Sequence, residues 1–382
     1  MNSITLLQPG KIVFGEHVLA ELSNEQIVSH SNKILFLVAT PLLDAVASII
    51  ENLQSENKDV ICVEYKFLGE PTFAQFNSLL EKCEGFNPDC VIGVGGGSVL
   101  DCGKLLAALI NNTQKLEDIV GIGFLNGRKI KLICIPTTSG TGSEVSPNAI
   151  LLNEDTQAKS GIISPFLVPD ACYLDPVLTI SLPAKLTAET GIDALSHCIE
   201  AYTNKFAHPT VDTYALKGIQ LISENLQKAY ENGNDIEARS ALLLGSMYGG
   251  LCLGPVNTSA VHALSYGLGG KFHIAHGLSN AILMPEVLRF NLSANPKRHA
   301  EVARGLGVTM IGTDEEVAWA GIEKIEGLSK GCNIPQRLTE IGITEDVLPE
   351  LADIAMKVTR LLKNNPREVT REDAIAIYEK LL

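Results

Sequence analysis

The sequence predicts an α/β domain with a parallel sheet at residues 1–180, followed by an all-helical domain at residues 181–382. Three observations predict this fold class. The length of 382 residues is typical of two domains. In the first half, short apolar segments alternate with amphipathic ones, an order typical of a parallel sheet covered by helices on both faces. Beyond about Pro183 only amphipathic helical patterns remain.

The elements of the first half follow from this alternation. Each predicted strand is a short run of apolar residues, and each predicted helix has apolar residues at three- and four-residue spacing. The predicted strands are 33–39, 60–63, 90–94 and 130–135, and the predicted helices are 42–54, 72–83 and 99–110. Because ligands of such sheets bind beyond the carboxyl ends of the strands, we expect a site at the cleft between the domains.

Composition narrows the class of partner. The chain has 44 acidic and 30 basic residues, a net charge of −14, and no basic stripe. Binding to nucleic acid or to an anionic membrane relies on clustered Lys and Arg, so neither partner is expected. Charged residues make up only 19 % of the chain, which indicates a large core. A small molecule is the expected partner.

One segment, 240–270, contains no Asp, Glu, Lys or Arg and is long enough to cross a bilayer. Several glycines, Pro255 and His262 interrupt it, so we expect two closely packed helices around a dry site instead. No secretory signal is evident at the N-terminus. The nine cysteines are odd in number and show no CxxC spacing, which predicts reduced thiols in a cytoplasmic protein.

A glycine-rich turn follows the predicted strand 90–94. The turn consists of Gly95, Gly96, Gly97 and Ser98, and the next helix carries Asp101 and Lys104 in its first two turns. Glycines let backbone N–H groups approach an anion, and a helix N-terminus offers unpaired donors, so a diphosphate is the expected occupant. The alternative is a tight turn without a ligand. Neither GxGxxG nor the Walker pattern is present.

A second polar loop follows the strand at 130–135. The loop spans residues 136–144, contains Thr137 and Thr138, and is rich in hydroxyl groups and glycine. Beside the glycine turn it predicts the other wall of a nucleotide site. NAD sites often have an acidic residue after a neighbouring strand to bind the ribose. Here Thr40 follows the strand at 33–39, which leaves NAD and NADP open.

Candidate metal ligands lie in the second half. Asp193 and His197 are four residues apart on a predicted helix, hence on one face. A hydrogen-bonded core pair is the alternative. His262, His273 and His276 lie within or beside the most apolar segment, where unpartnered imidazoles are unfavourable. One carboxylate oxygen with three imidazole nitrogens suits Fe²⁺ or Zn²⁺ better than Mg²⁺ or Ca²⁺.

The ordered motifs GGGS-xx-D-xx-K, PTTSGTGSEV, LDP-x-LT-x-SLP, TGIDALSHCIEAY and HAL…HG extend over essentially the whole chain. This combination resembles the iron-containing (group III) alcohol dehydrogenase family. The resemblance implies a Rossmann-like dinucleotide-binding domain and an all-α metal-binding domain, an architecture shared with dehydroquinate synthases. It also implies NAD(P)-dependent interconversion of a small alcohol and an aldehyde or ketone by homodimers, with the metal acting as a Lewis acid on the substrate oxygen.

The resemblance also implies residue roles. Metal ligands carried over by motif are Asp193, His197, His262 and His276. Cofactor positions carried over are Gly95, Gly96, Gly97, Ser98, Thr137 and Thr138. Asp101 lies within the first motif, and Lys159 and Leu178 are expected nearer the nicotinamide.

Two departures from the family pattern matter. Many members have a histidine near the reacting alcohol where this chain has Tyr266. His273 is expected to supply the missing imidazole. Tyr266 and His273 are both candidates for the proton relay. Thr40 stands where many relatives have the ribose-binding Asp.

The sequence leaves alternative functions open. They are a maleylacetate reductase-like or glycerol dehydrogenase-like enzyme on the same scaffold and a non-catalytic NAD-binding metal protein. A dehydroquinate synthase is disfavoured, because its metal set is expected to contain Glu with two His. A reductase of an acidic substrate would need cations near the site, and Lys271 is the only one close to the metal motifs.

Overall fold

The computed structural model describes residues 3–155 and 158–382, which divide into two compact units. The α/β unit comprises residues 7–138 and 143–179, and the helical unit comprises residues 180–382 with the short segments 3–6 and 139–142. The sequence had assigned both short segments to the first domain.

The α/β unit contains nine strands and four helices in the described residues. The strands are β1 Lys11–Phe14, β2 Lys33–Ala39, β3 Asp59–Tyr65, β4 Cys90–Gly95, β5 Gly121–Ile122, β6 Lys131–Pro136, β7 Asn148–Asn153, β8 Ala158–Ile163 and β9 Ala171–Leu174. The helices are α1 Gln26–His30, α2 Leu43–Ser55, α3 Phe73–Cys83 and α4 Gly97–Leu109. Every strand and helix predicted in this half is present, with ends shifted by no more than two residues.

Six strands form one parallel sheet in the order β1-β9-β6-β4-β2-β3. From β2 the chain moves outward to β3 and then returns to β4 on the other side of β2. The strand order therefore reverses between β2 and β4, and ligands of open α/β sheets bind at such a point. Strands β5, β8 and β7 form a second, smaller sheet. This sheet, β1 and β9 were not predicted from the sequence.

The main sheet is buried on both faces. Along β2, Ile34, Phe36 and Val38 pack with α2, whereas Leu35 and Leu37 pack with α3 and α4. Because both faces are covered, the strand reads as a continuous apolar run rather than an alternating one.

The helical unit contains ten α-helices in its described residues. They are α5 Ala184–Thr203, α6 Pro209–Glu231, α7 Ile236–Leu253, α8 Ala260–Phe272, α9 His276–Leu292, α10 Pro296–Gly305, α11 Asp314–Gly331, α12 Leu348–Met356, α13 Thr359–Leu362 and α14 Arg371–Glu379. Helix α5 packs against α6, α7 and α9 around one apolar core. The predicted fold class, a parallel α/β domain and an all-α domain, is confirmed.

The uncharged segment 240–270 forms most of α7, the loop that follows it and most of α8. Helix α7 packs against α5 and α6, whereas α8 packs against α9, α12 and α13, so the two helices are not the closely packed pair that the sequence predicted. Glycines shape these contacts: a Cβ at Gly245 would lie 2.7 Å from Ile222 Cγ1 of α6. Among the described residues no helix combines the length and apolarity that crossing a membrane requires.

Candidate metal and cofactor sites

Four side chains converge within the helical unit. Asp193 Oδ1 lies 3.8 Å from His197 Nε2, 3.6 Å from His262 Nε2 and 3.7 Å from His276 Nε2. All four donor atoms lie within 4.8 Å of one another. Two donor atoms bound to one ion at about 2.0–2.2 Å lie at most about 4.4 Å apart. The three distances from Asp193 therefore fit a single ion directly, and the most widely spaced donors need to approach by only a few tenths of an ångström.

Three helices position these side chains. Asp193 and His197 lie one turn apart on α5, His262 lies in the first turn of α8, and His276 begins α9. Helix α7 approaches the same turn of α5, since a Cβ at Gly249 would come within 3.2 Å of His197 Cβ. The first three ligand candidates are buried, whereas the His276 side chain is 25 % exposed.

Glu200, one turn beyond His197 on α5, orients His262. Its Oε1 accepts hydrogen bonds from Ser259 N–H at 3.0 Å, Ser259 Oγ at 2.8 Å and Val261 N–H at 2.8 Å. Its Oε2 contacts His262 Nδ1. One carboxylate therefore caps the N-terminus of α8 and points Nε2 of His262 toward the cluster, as carboxylates behind metal-binding histidines commonly do. This role of Glu200 was not predicted from the sequence.

The electrostatics of the cluster favour charge on Asp193. Burial acts to raise the pKa of this carboxyl, but the imidazoles of His197, His276 and His262 hold it well below its usual range. Burial lowers the pKa of His197 to about 4 despite Asp193. Burial also opposes charge on His262, but Glu200 and Asp193 outweigh it and raise its pKa to about 9. The cluster thus combines an anionic carboxylate with two imidazoles whose pKa values are shifted in opposite directions.

Asn280, one turn into α9, lies against the same donor atoms. Its Nδ2 is 2.7 Å from Asp193 Oδ1, 3.1 Å from His262 Nε2 and 3.3 Å from His276 Nε2. Its buried Oδ1 has no hydrogen-bond partner among the described residues. One amide NH₂ group has two hydrogens and cannot donate fully to three acceptor atoms. Lone pairs on the carboxylate and imidazoles, and on the unpartnered Asn280 oxygen, therefore remain for a cation to satisfy. Three imidazole nitrogens and one carboxylate oxygen fit Fe²⁺ or Zn²⁺.

The α/β unit brings the glycine turn and the second polar loop together. Strand β4 ends at Gly95 beside Pro136 of β6, and the Thr137 N–H donates to the Gly95 carbonyl oxygen at 3.1 Å. A Cβ at Gly96 would lie 3.2 Å from Thr138 Cγ2, so only glycine allows this approach without displacement. Helix α4 begins at Gly97, at the point where the strand order reverses. The unpaired backbone N–H groups at a helix N-terminus favour anions, so this turn is the candidate anion site.

Asp101 lies behind this turn. Its Oδ1 accepts from Ser143 Oγ at 2.5 Å, and its Oδ2 accepts from Ile150 N–H at 2.9 Å. Lys104 is fully buried and donates to the carbonyl oxygens of Ser146 and Asn148 at 3.0 and 2.8 Å. These two side chains tie α4 to the second polar loop and to the segment that follows it, which keeps the turn in place.

Thr40 lies at the carboxyl end of β2, next to the glycine turn. Its hydroxyl donates to Glu64 Oε1 at 2.9 Å and lies 3.3 Å from the Tyr65 carbonyl oxygen. Glu64 also pairs with Lys66 at 2.8 Å, and this hydrogen bond, with that from Thr40, lowers the pKa of its carboxyl. A carboxylate therefore lies beside Thr40, although the neighbouring strand supplies it.

The remaining sequence candidates lie elsewhere in the two units. Lys159, on β8, has a buried side chain that contacts Glu70. Leu178 is part of a 3₁₀ helix at Pro176–Thr179 and packs at the margin of the sheet core. His273 is exposed in the left-handed conformation at the end of α8, with φ of 55°. Tyr266 is buried, and its hydroxyl accepts a 2.5 Å hydrogen bond from Arg360, which was not among the sequence candidates.

Comparison with known proteins decides the family. Residues 9–176 match the family described as iron-containing alcohol dehydrogenase, and residues 187–382 match the Fe-containing alcohol dehydrogenase family, C-terminal. The chain belongs to the iron-containing alcohol dehydrogenase family. It is therefore a metal-dependent alcohol dehydrogenase, an oxidoreductase that acts on CH–OH groups.

Relatives cover this chain broadly. Long-chain-alcohol dehydrogenase 1 of Geobacillus thermodenitrificans is 41 % identical over 76 % of this chain and 74 % of its own length. A crystal structure of 1,3-propanediol oxidoreductase superposes with a TM-score of 0.94 at 31 % identity and covers both chains completely. Sulfoacetaldehyde reductase from Bifidobacterium kashiwanohense, solved in complex with NAD⁺, has a TM-score of 0.88 at 26 % identity and covers 100 % of this chain and 99 % of that one.

Proposed function

We propose that this chain interconverts a small alcohol and its aldehyde with NAD as the hydride carrier and Fe²⁺ as the metal, held by Asp193, His197, His262 and His276. The convergence of these four donors within 4.8 Å carries the proposal. Zn²⁺ accepts the same donors, so the metal present also depends on availability.

The proposed chemistry assigns a task to each group. When bound, the ion acts as a Lewis acid that polarises the substrate oxygen. Glu200 keeps His262 in the tautomer whose Nε2 faces the cluster, through its contact with Nδ1. The buried donors exclude water from one side, whereas the partly exposed His276 leaves the other side open to substrate. Tyr266 and His273 are the proposed proton carriers, and exposed His273 can exchange its proton with solvent.

The cofactor is proposed to lie on the α/β unit. Backbone N–H groups of the turn formed by Gly95, Gly96, Gly97 and Ser98 bind the diphosphate, with Thr137 and Thr138 as the second wall. Asp101 holds this region in place, and Lys159 and Leu178 lie nearer the nicotinamide half. The reversal of strand order between β2 and β4, where the turn is placed, supports this assignment.

NAD is proposed over NADP because of Glu64. Its carboxylate, hydrogen-bonded to Thr40, would repel a 2′-phosphate at the position where the ribose is expected. An NAD⁺ complex of the sulfoacetaldehyde reductase also supports this preference. Glu64→Gln is expected to raise the ratio of kcat/KM for NADPH to that for NADH by about tenfold. Glu51→Gln, at an exposed acidic residue of α2, is the control and should keep the wild-type ratio. An unchanged ratio in Glu64→Gln would contradict the proposed preference for NAD.

We further propose a cytoplasmic homodimer with no nucleic-acid or membrane partner. All nine cysteines are free thiols and eight are buried, which is consistent with a reducing compartment. The dimer follows from the family resemblance, and light scattering on the purified protein tests it. A mass equal to one chain would refute it.

The decisive test is purification without chelator, followed by metal analysis and a panel of small alcohols and aldehydes with NADH and NADPH in parallel. The proposal expects about one equivalent of iron or zinc per chain and oxidation of NADH with at least one aldehyde. Tight binding of metal and NAD without turnover of any substrate would favour a non-catalytic protein instead.

A further inference from the structure

Arg360 donates a hydrogen bond to Tyr266, one helical turn from the candidate metal ligand His262. We infer that the substrate carries an oxyanion, a carboxylate or a sulfonate, at the end remote from its reacting carbon, and that Arg360 binds this oxyanion. The inference deepens the proposed function and rests on it.

The hydrogen bond to Tyr266 places the Arg360 guanidinium beside α8, the helix that carries His262. His262 and Tyr266 are four residues apart on α8, hence on one face and about 6 Å apart along the helix axis. Helix α13, which carries Arg360, packs against α8. A short substrate whose oxygen lies at the cluster could therefore extend along α8 to Arg360.

The guanidinium also retains binding capacity. Arginine has five N–H donors, and Tyr266 Oη is the one acceptor found for Arg360 among the described residues, in which it forms no ion pair. By contrast, the guanidinium of Arg239 is fully buried and donates to the oxygens of Gly233, Thr187 and Leu182. Arg360 is only half-buried, so its planar fork stays accessible to an oxyanion, which it can bind in bidentate fashion.

The local charge supports the same inference. Residues 357–367 contain four cations and no acid in a chain of net charge −14. Lys271, the cation that lies close to the metal motifs in the sequence, instead contacts Glu350. Within this basic segment, Arg360 is the cation that donates a hydrogen bond to Tyr266 of α8.

Matched aldehydes test the inference. The wild-type enzyme is assayed with NADH and 4-oxobutanoate, with 3-sulfopropanal, and with 4-methylpentanal, which replaces the carboxylate by a neutral group of the same shape. We expect a higher kcat/KM for one of the anions than for the neutral aldehyde. Arg360→Met is expected to lower this preference by about 10- to 100-fold, through KM more than through kcat. Arg360→Lys, which keeps the charge, is expected to restore part of the preference.

Arg367→Met is the matched control. This arginine lies in the same basic segment, but its guanidinium stacks on the Phe290 ring at 3.9 Å and donates to the Phe290 carbonyl oxygen at 3.1 Å. The control is expected to keep the wild-type preference. The inference is wrong if the wild-type enzyme favours 4-methylpentanal over both anions, or if Arg360→Met lowers kcat/KM equally for all three. Those two results leave the proposed function intact, whereas a lack of turnover with every aldehyde tested overturns the proposed function itself.

Discussion

The two units form their candidate sites in different ways. In the α/β unit the candidate anion site consists of backbone groups from one short turn, Gly95 to Ser98, and it depends on the absence of side chains. In the helical unit the candidate metal site consists of side chains from α5, α8 and α9, with Asp193 and His276 separated by 83 residues in the sequence. An added side chain is therefore expected to disrupt the candidate anion site, whereas removal of a donor side chain is expected to disrupt the candidate metal site.

The strongest test of the side-chain site is Asp193→Ala. Removing the one anionic donor leaves three imidazoles, so metal content should fall below about one tenth of the wild-type value, with activity reduced by at least about a thousandfold. Metal analysis and kinetics on the same preparation measure both. Asp353→Ala, a change at an exposed residue of α12, is the control and should retain metal. Full metal content in Asp193→Ala would refute the ligand assignment.

The matching test of the backbone site is Gly95→Ala. The added Cβ would lie 2.6 Å from Val99 Cγ2 and 2.7 Å from Val99 Cβ, so the first turn of α4 must move. We expect the Kd for NAD to rise by about 10- to 100-fold, because the N–H groups of that turn lose their alignment. Metal content should stay at the wild-type level, which separates the two sites. Gly127→Ala, which adds a Cβ in open space, is the control.

Glu200→Gln sharpens the account of the metal site. The amide keeps the size of the carboxylate but loses the charge that His262 Nδ1 contacts, so metal affinity should fall by about 10- to 100-fold. Competition with a chromophoric chelator measures this affinity independently of activity. Glu301→Gln, at the carboxylate that accepts the Tyr202 hydroxyl at 2.6 Å, is the control. Equal affinities in the wild type and Glu200→Gln would show that Glu200 serves only to cap α8.

The last prediction concerns the stability of the fold rather than either candidate site, at Glu144, the final residue of the second polar loop. Burial raises the pKa of this carboxyl to about 7. Between about pH 4.5 and 7 the folded state therefore keeps a proton that the unfolded state has lost. The free energy of unfolding falls as pH rises through this range. Glu144→Gln should thus stabilise the protein at pH 8 by about 3 kcal/mol relative to its effect near pH 4.5.

Urea unfolding of the variant and the wild type at both pH values measures this difference. Glu117→Gln, at an acidic residue of a 3₁₀ helix in the same unit, is the control. A stabilisation that is the same at both pH values would contradict the assigned cause.

Much of the fold was predictable because its signals are local. Strand β2 was predicted with both ends correct, since a fully buried strand is a continuous apolar run between polar residues. Helix α5 was predicted from the same segment that places Asp193 and His197 on one face. By contrast, β1 and β9 have only four residues each, and β8, with the sequence AKSGII, is not distinctly apolar. Such strands form because a neighbouring strand satisfies their backbone groups, which a local pattern does not reveal.

The sequence by itself determined the parallel α/β and helical domains, the glycine turn and the four candidate metal ligands, because each rests on spacing within a few residues or on motifs in fixed order. Only the tertiary structure placed Glu200 behind His262, Asn280 across the donor atoms, Glu64 beside Thr40 and Arg360 on Tyr266. The partners in these contacts come from different helices or strands. Packing decides which distant side chains meet, and no local periodicity encodes that choice.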